Sequence, residues 1–148
     1  MNETLCMELP IRAVGYNNYC KSTRTGRRFI TPKGREYKSE LMKCLSKYKD
    51  QLIEIGLTLE WPMMLDIEIH YYYLNYINKS NGLINQKMND SDSPDKIVID
   101  SIFEMIGCDD YLKRKGSHER HLAKNKDYII VFLSLSEDLN KKNMLTVI

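Results

Sequence analysis

The sequence has no C-x-x-C pair; its four cysteines, Cys6, Cys20, Cys44 and Cys108, are scattered. That spacing excludes the paired-cysteine zinc motifs and supports no disulfide framework, so reduced thiols of a cytoplasmic protein are expected. It also lacks a long apolar run. Tyr128 to Leu133 is the longest strongly apolar stretch, far short of the roughly 20 residues that a membrane-spanning helix needs. The N-terminus has no basic-then-apolar signal layout, so a soluble chain with no membrane contact is expected. None of G-x-x-x-x-G-K-[ST], G-x-G-x-x-G or G-x-S-x-G occurs, which argues against the common nucleotide and serine-hydrolase sites. With no linker and no internal repeat, the 148 residues read as a single domain with a polar tail from about Glu137.

The net charge of +2 says little about partners, but its distribution says more. Arg12, Lys21, Arg24, Arg27, Arg28, Lys33, Arg35 and Lys38 face one acid, Glu36, between residues 12 and 38. A second cluster holds Lys113, Arg114, Lys115, Arg120, Lys124 and Lys126, with His118 and His121 among them. The first stretch interleaves Tyr16, Tyr19 and Phe29 with its bases, a composition that suits either nucleic acid, through phosphate contacts and stacking, or a solvated loop.

Leu5, Met7 and Leu9 alternate with polar positions and stop at Pro10, as in a short strand. A long loop with a hairpin turning near Thr25-Gly26 follows. Thr31-Pro32 is a helix start, and Tyr37, Leu41, Leu45, Tyr48, Leu52 and Ile55 recur at helical steps up to Gly56, predicting one long amphipathic helix. Its stripe suits a core face or a dimer contact. Leu65, Ile67, Ile69, Tyr71 and Tyr73 alternate with Asp66, Glu68, His70 and Tyr72, a half-buried strand. Residues 75 to 88 show no period and read as a flexible connection. Tyr128 to Leu135 is the strongest strand candidate, with a hairpin expected at Lys124 to Asp127. The order points to an α+β fold, a small mixed sheet packed with two main helices.

The stretch from Asn89 to Asp110 organises the rest. Asp90 and Asp92 run into Ser93-Pro94, a capping hydroxyl followed by proline at the first helical position. Val98, Ile102, Met105 and Ile106 then form an apolar arc, with Ile99 and Phe103 at its margin, while Lys96, Asp100 and Glu104 share the polar side. Gly107 stops the helix, and Asp109-Asp110 makes a second acidic pair. Asp90, Asp92 and Asp110 could bind Mg²⁺, a hard ion that prefers a few carboxylates and accepts phosphate oxygens, with Lys96 steadying phosphate charge. D-x-D alone is a weak signal, and the plainer reading is that Asp90 and Asp92 favour the positive end of a helix, with Lys96 and Asp100 as a surface pair. A calcium loop counted from Asp90 fails, because its sixth and twelfth positions are Asp95 and Ser101. His118 and His121, combined with Cys108 or His70, are weak zinc candidates, being one H-x-x-H without a cysteine motif.

The run from Asp90 to Ile102, D-S-D-S-P-D-K-I-V-I-D-S-I, and then G-C-D-D from Gly107 resembles the RusA-type Holliday junction resolvases, whose pattern is D-x-D-N-x-x-K-x-x-x-D-x-L and a later D-D pair. Leu9-Pro10, Asn17-Asn18-Tyr19 and Thr31-Pro32-Lys33-Gly34-Arg35-Glu36-Tyr37 extend the likeness to most of the chain. The resemblance implies a homodimeric endonuclease of branched DNA that uses Mg²⁺ or Mn²⁺ to cut two opposed strands of a four-way junction. Its essential aspartates fall on Asp90, Asp92 and Asp110 and its lysine on Lys96, with Asp100 and Asp109 in support. Lys21, Arg24, Arg27, Arg28, Lys33, Lys113, Arg114 and Lys115 are the expected DNA contacts. Ser93 and Pro94 depart from the family's asparagine and leucine. A nuclease of other branched or single-stranded nucleic acid, or a non-catalytic DNA-binding dimer, are the alternatives. A helix from Pro94 to Ile106 is about 20 Å long and the next three residues retrace only about 10 Å, so either the helix ends a turn earlier and the chain folds back, or, the arrangement favoured here, Asp110 completes the site of a partner subunit.

Overall fold

The computed structural model describes residues 4–85, 93–138 and 140; Asp90 and Asp92 lie outside them. The fold is α+β. A four-stranded mixed sheet has the order β1 (Thr4–Leu9), β6 (Tyr128–Glu137), β4 (Met63–Tyr73), β5 (Lys113–Leu122). β6 runs antiparallel to both of its neighbours, and β5 runs parallel to β4. A separate two-stranded hairpin, β2 (Cys20–Ser22) and β3 (Arg28–Ile30), turns through Gly26 at φ 83°, as the Thr25-Gly26 pair predicts. It follows a single helical turn, α1 (Tyr16–Tyr19), that the sequence reading did not contain.

Two connections differ from expectation. The single long helix is two, α2 (Pro32–Ser46) and α3 (Lys49–Thr58). Thr31 caps α2 through Gly34 N–H at 2.9 Å, and Tyr37, Leu41, Leu45 and Leu52 are buried as predicted. The break falls at Lys47-Tyr48, where the Tyr48 hydroxyl accepts the Glu8 N–H of β1 at 3.1 Å. Because Leu45, Tyr48 and Leu52 keep helical spacing across the break, periodicity could not reveal it. The second correction concerns residues 124 to 127: β5 and β6 are not a hairpin, because β4 lies between them. The connection passes over the end of β4, held by Ala123 N–H on Tyr73 O (3.0 Å) and Leu74 N–H on the Asp127 carboxylate (2.7 Å). The described part of the aperiodic connection, through Asn85, is itself ordered into a small turn, with an Ile77 to Ile84 bridge and Gly82 at φ 69°.

The motif helix is α4 (Asp95–Ile106), one residue shorter at its start than expected; Ser93 Oγ accepts the Asp95 N–H at 3.2 Å, and Gly107 ends the helix at φ 86°. Ile97, Val98, Ile102, Phe103 and Ile106 are buried against Ile67, Ile69 and Tyr71 of β4 and the face of β6 carrying Ile129, Val131 and Leu133. Alternation therefore places every core-facing strand residue on the helical side of the sheet. Among the described residues no helix is long and apolar enough to cross a membrane.

Gly56 sets how closely α3 approaches α4. A Cβ there would lie 2.6 Å from Ile106 O, a backbone atom that cannot rotate away. In an exposed helix Gly→Ala gains about 1 kcal/mol. Here Gly56→Ala is expected to cost about 1–3 kcal/mol through overpacking, read as a lower urea midpoint. A midpoint that rises instead would mean the two helices do not touch at this residue.

Candidate functional site

Parallel strands need a crossover, and α4 supplies it between β4 and β5. A cleft of about 390 Å³ opens between the exposed side of α4 and β5. Its walls are Ser93, Asp95, Lys96, Ile99 and Asp100 on one side and Asp110, Lys113, Gly116 and Ser117 on the other, with Ile67 and Ile69 of β4 at its base. Gly107 reverses the chain and a single 3-10 turn, Asp110–Leu112, returns it to the sheet.

One chain thus supplies both Asp110 and the residue that follows Asp92. Asp110 lines a cleft of its own chain, as the fold-back alternative has it, while Asp90 and Asp92 lie outside the described residues. The length estimate treated the site as a point beyond the start of the helix. The cleft instead runs along the helix, so its far wall begins where the chain re-enters the sheet.

The carboxylates in this cleft have different commitments. Asp95 accepts the Tyr71 O–H at 2.5 Å and meets His118 Nδ1 at 2.5 Å. Tyr71 is fully buried, and burial, then the Asp95 charge, holds its hydroxyl far above the usual tyrosine range. Asp100 pairs with Lys96 at 3.2 Å and holds that ammonium above its ordinary pKa, so the plain i,i+4 pair foreseen from sequence is present. Among the described residues, the Asp110 carboxylate makes no hydrogen bond or ion pair. It is the cleft acid left for a ligand. Asp109 is exposed and does not line the cleft.

The expected basic contacts divide. Lys21, Arg24, Arg27 and Arg28 are all exposed on the hairpin and Lys33 on the first turn of α2. Arg28 lies over the Tyr16 ring at 4.7 Å, and Phe29 is 46% exposed. Tyr16 of α1 lies within electrostatic range of Lys96, and Tyr19 of Asp100 and Glu104, so α1 and the cationic hairpin that follows it stand beside the cleft. The second cluster does not act as a unit. Lys113 lines the cleft, Lys115 lies on the opposite face of the sheet, and Arg114 is committed to Asp66 (2.9 and 3.2 Å) and Ser136 (2.9 Å).

The H-x-x-H pair also separates. Residues three apart on a strand point to opposite faces, so His118 joins Asp95 while His121 joins His70. The zinc candidate built on His118 with His121 is therefore overturned. On the outer face, ligand atoms of His70, Glu119 and His121 all lie within 4.8 Å of one another, a group able to hold a metal.

Asp95 and Tyr71 are not evident as site residues from the sequence, and His118, there a zinc candidate with His121, has Asp95 as its partner instead. The available signal was Tyr71, whose core-facing position required a buried partner for its hydroxyl. Tyr71→Phe removes a hydrogen bond to a charged acceptor and is expected to cost about 1.5–3 kcal/mol in urea unfolding. A loss under about 0.5 kcal/mol would detach Asp95 from Tyr71. As for known proteins, no family model and no curated protein matches this chain.

Proposed function

We propose that this protein is a metal-dependent endonuclease that resolves four-way DNA junctions by paired cuts, working as a homodimer, as its resemblance to the RusA-type resolvases implies. The observation that carries the reading is the cleft of a single chain in which the uncommitted Asp110 shares walls with Lys96 and with Ser93, the neighbour of Asp92. Apart from the ammonium groups of Lys96 and Lys113, its described polar side chains end in carboxylate or hydroxyl oxygens, a set that suits a hard cation, so Asp90, Asp92 and Asp110 would hold Mg²⁺ or Mn²⁺. Such an ion, when bound, supplies water activation and charge neutralisation for phosphodiester cleavage.

The chain's own residues do the rest. Lys96, steadied by Asp100, presents a point cation where negative charge grows on the phosphate. Lys113 adds a second on the facing wall. Asp95 engages His118 through Nδ1, which ties the start of α4 to β5 behind the cleft wall. The exposed hairpin offers Lys21, Arg24, Arg27 and Arg28, with Lys33 beside them, to phosphates and Phe29 to an unstacked base.

A synthetic four-way junction, a linear duplex and a flap, each incubated with Mg²⁺ or with EDTA, test the proposal. Paired, Mg²⁺-dependent cuts in the junction alone are expected, lost in Asp92→Asn while junction binding persists. Near-wild-type cleavage by Asp92→Asn would remove the acidic site from the mechanism, and preferential cutting of the flap would redirect it to another branched substrate.

The hairpin is tested by salt. If Arg24, Arg27 and Arg28 each neutralise a phosphate, their replacement by alanine should reduce the slope of log K against log[salt] by about one unit per contact. An unaltered slope would assign the hairpin to solvent.

A further inference from the structure

The outer face of the sheet carries a group of side chains that the cleft does not use. His70 of β4 lies directly across from Glu119 of β5, and Tyr72 directly across from His121, so the parallel register puts one imidazole on each strand on the same face. His70 Nδ1 is 2.8 Å from His121 Nε2. Glu119 Oε2 is 3.5 Å from the first nitrogen and 3.4 Å from the second. We propose that His70, Glu119 and His121 form a binding site for a borderline-soft divalent cation of the Zn²⁺ class, separate from the aspartate cleft and independent of the nuclease reading.

The geometry supports this in three ways. Ligands at about 2.0–2.1 Å around a tetrahedral ion are separated by about 3.3 Å. Both nitrogen-to-carboxylate distances already have that length to within about 0.2 Å. The nitrogen pair needs to open by about 0.5 Å and the two rings to turn in plane toward the ion, exchanging their mutual hydrogen bond for two bonds to it. Second, the rings are held in advance. His121 stacks on Tyr72 (4.6 Å between centroids) and lies edge to edge with the nearly parallel His70 ring (5.0 Å), and Phe132 meets the His70 ring edge-on at 5.7 Å. Third, the other nitrogen of His70 faces a carboxylate, Glu68 Oε2 at 3.4 Å, the type of outer partner that orients a metal-binding histidine.

The donor set separates the two sites. Two imidazoles with one carboxylate favour Zn²⁺ and its neighbours, whereas Mg²⁺ prefers oxygens alone. Three protein ligands leave one position open. A cation here would tie β5, an edge strand with mostly exposed side chains, to the centre of the sheet, and β5 forms the far wall of the cleft through Lys113, Gly116 and Ser117.

The test uses the full chain stripped with EDTA and titrated with Zn²⁺ by calorimetry and with Co²⁺ by visible absorption. One equivalent of either ion should bind at micromolar concentration, with the d–d bands of a low-coordinate Co²⁺ site. Zn²⁺ at 100 times its Kd should raise Tm by about 5–10 °C. Glu119→Gln, at a carboxylate 62% exposed, should fold normally and weaken binding at least tenfold. His121→Gln should remove the Co²⁺ bands, while Asp110→Asn should keep them. Absence of the bands in the wild type, their persistence in a folded His121→Gln chain, or their loss in Asp110→Asn would each overturn the proposal. The last result would place the ion in the cleft instead.

Discussion

Two parallel strands cannot be joined by a tight turn, and the pairing of β4 with β5 therefore requires a helix to cross one face of the sheet. Here that helix is α4, whose apolar side, Ile97, Val98, Ile102, Phe103 and Ile106, is buried. The same crossover decides where the acidic motif goes. Because the helix is clamped by its core side, its polar side with Lys96 and Asp100 is left facing the edge strand, and the chain must re-enter the sheet through Asp110. A change that weakened the packing of α4 would therefore disturb both walls of the cleft together.

Strand β5 carries the second level of organisation. Its alternation sorts neighbouring residues of similar chemistry into different surroundings: His118 beside Asp95, His121 beside His70, Lys113 in the cleft, Lys115 behind it. A bulge between Leu65 and Asp66 in the β4 to β5 register accommodates Arg114, which is spent on Asp66 and Ser136. Sequence proximity suggested one basic patch and one histidine pair. The pleat makes two of each.

What was legible followed from local rules. Alternation identified β1 and β4, and a continuous apolar run β6; Thr31-Pro32 and Gly107 marked helix ends; and the apolar arc of α4 is buried nearly as spaced. The misses have physical reasons. The break at Tyr48 comes from a contact with β1, a tertiary contact superposed on a spacing that suits an unbroken helix. Strand order could not be read because β5, polar along most of its length, carries little burial signal to distinguish an edge from a hairpin partner. In the sequence Asp95 stands out only as the position at which a calcium loop fails, and only the register of β4 with β5 shows that Tyr71 and His118 meet it.

The charge balance of the cleft narrows what its acids can do. A DNA backbone is repelled by carboxylates, so an acidic cleft serves such a substrate only if its acids are neutralised by other groups. Asp100 is neutralised by Lys96, and Asp95 is held by Tyr71 and His118. Asp110 has no such partner among the described residues, although Lys113 lines the same wall. An unpaired carboxylate confronting phosphate would be a pure cost, whereas the same carboxylate with a divalent cation turns repulsion into attraction. Among the described residues, the protein's own ion pairs thus leave the uncompensated charge on Asp110, one of the three aspartates that the sequence resemblance selects.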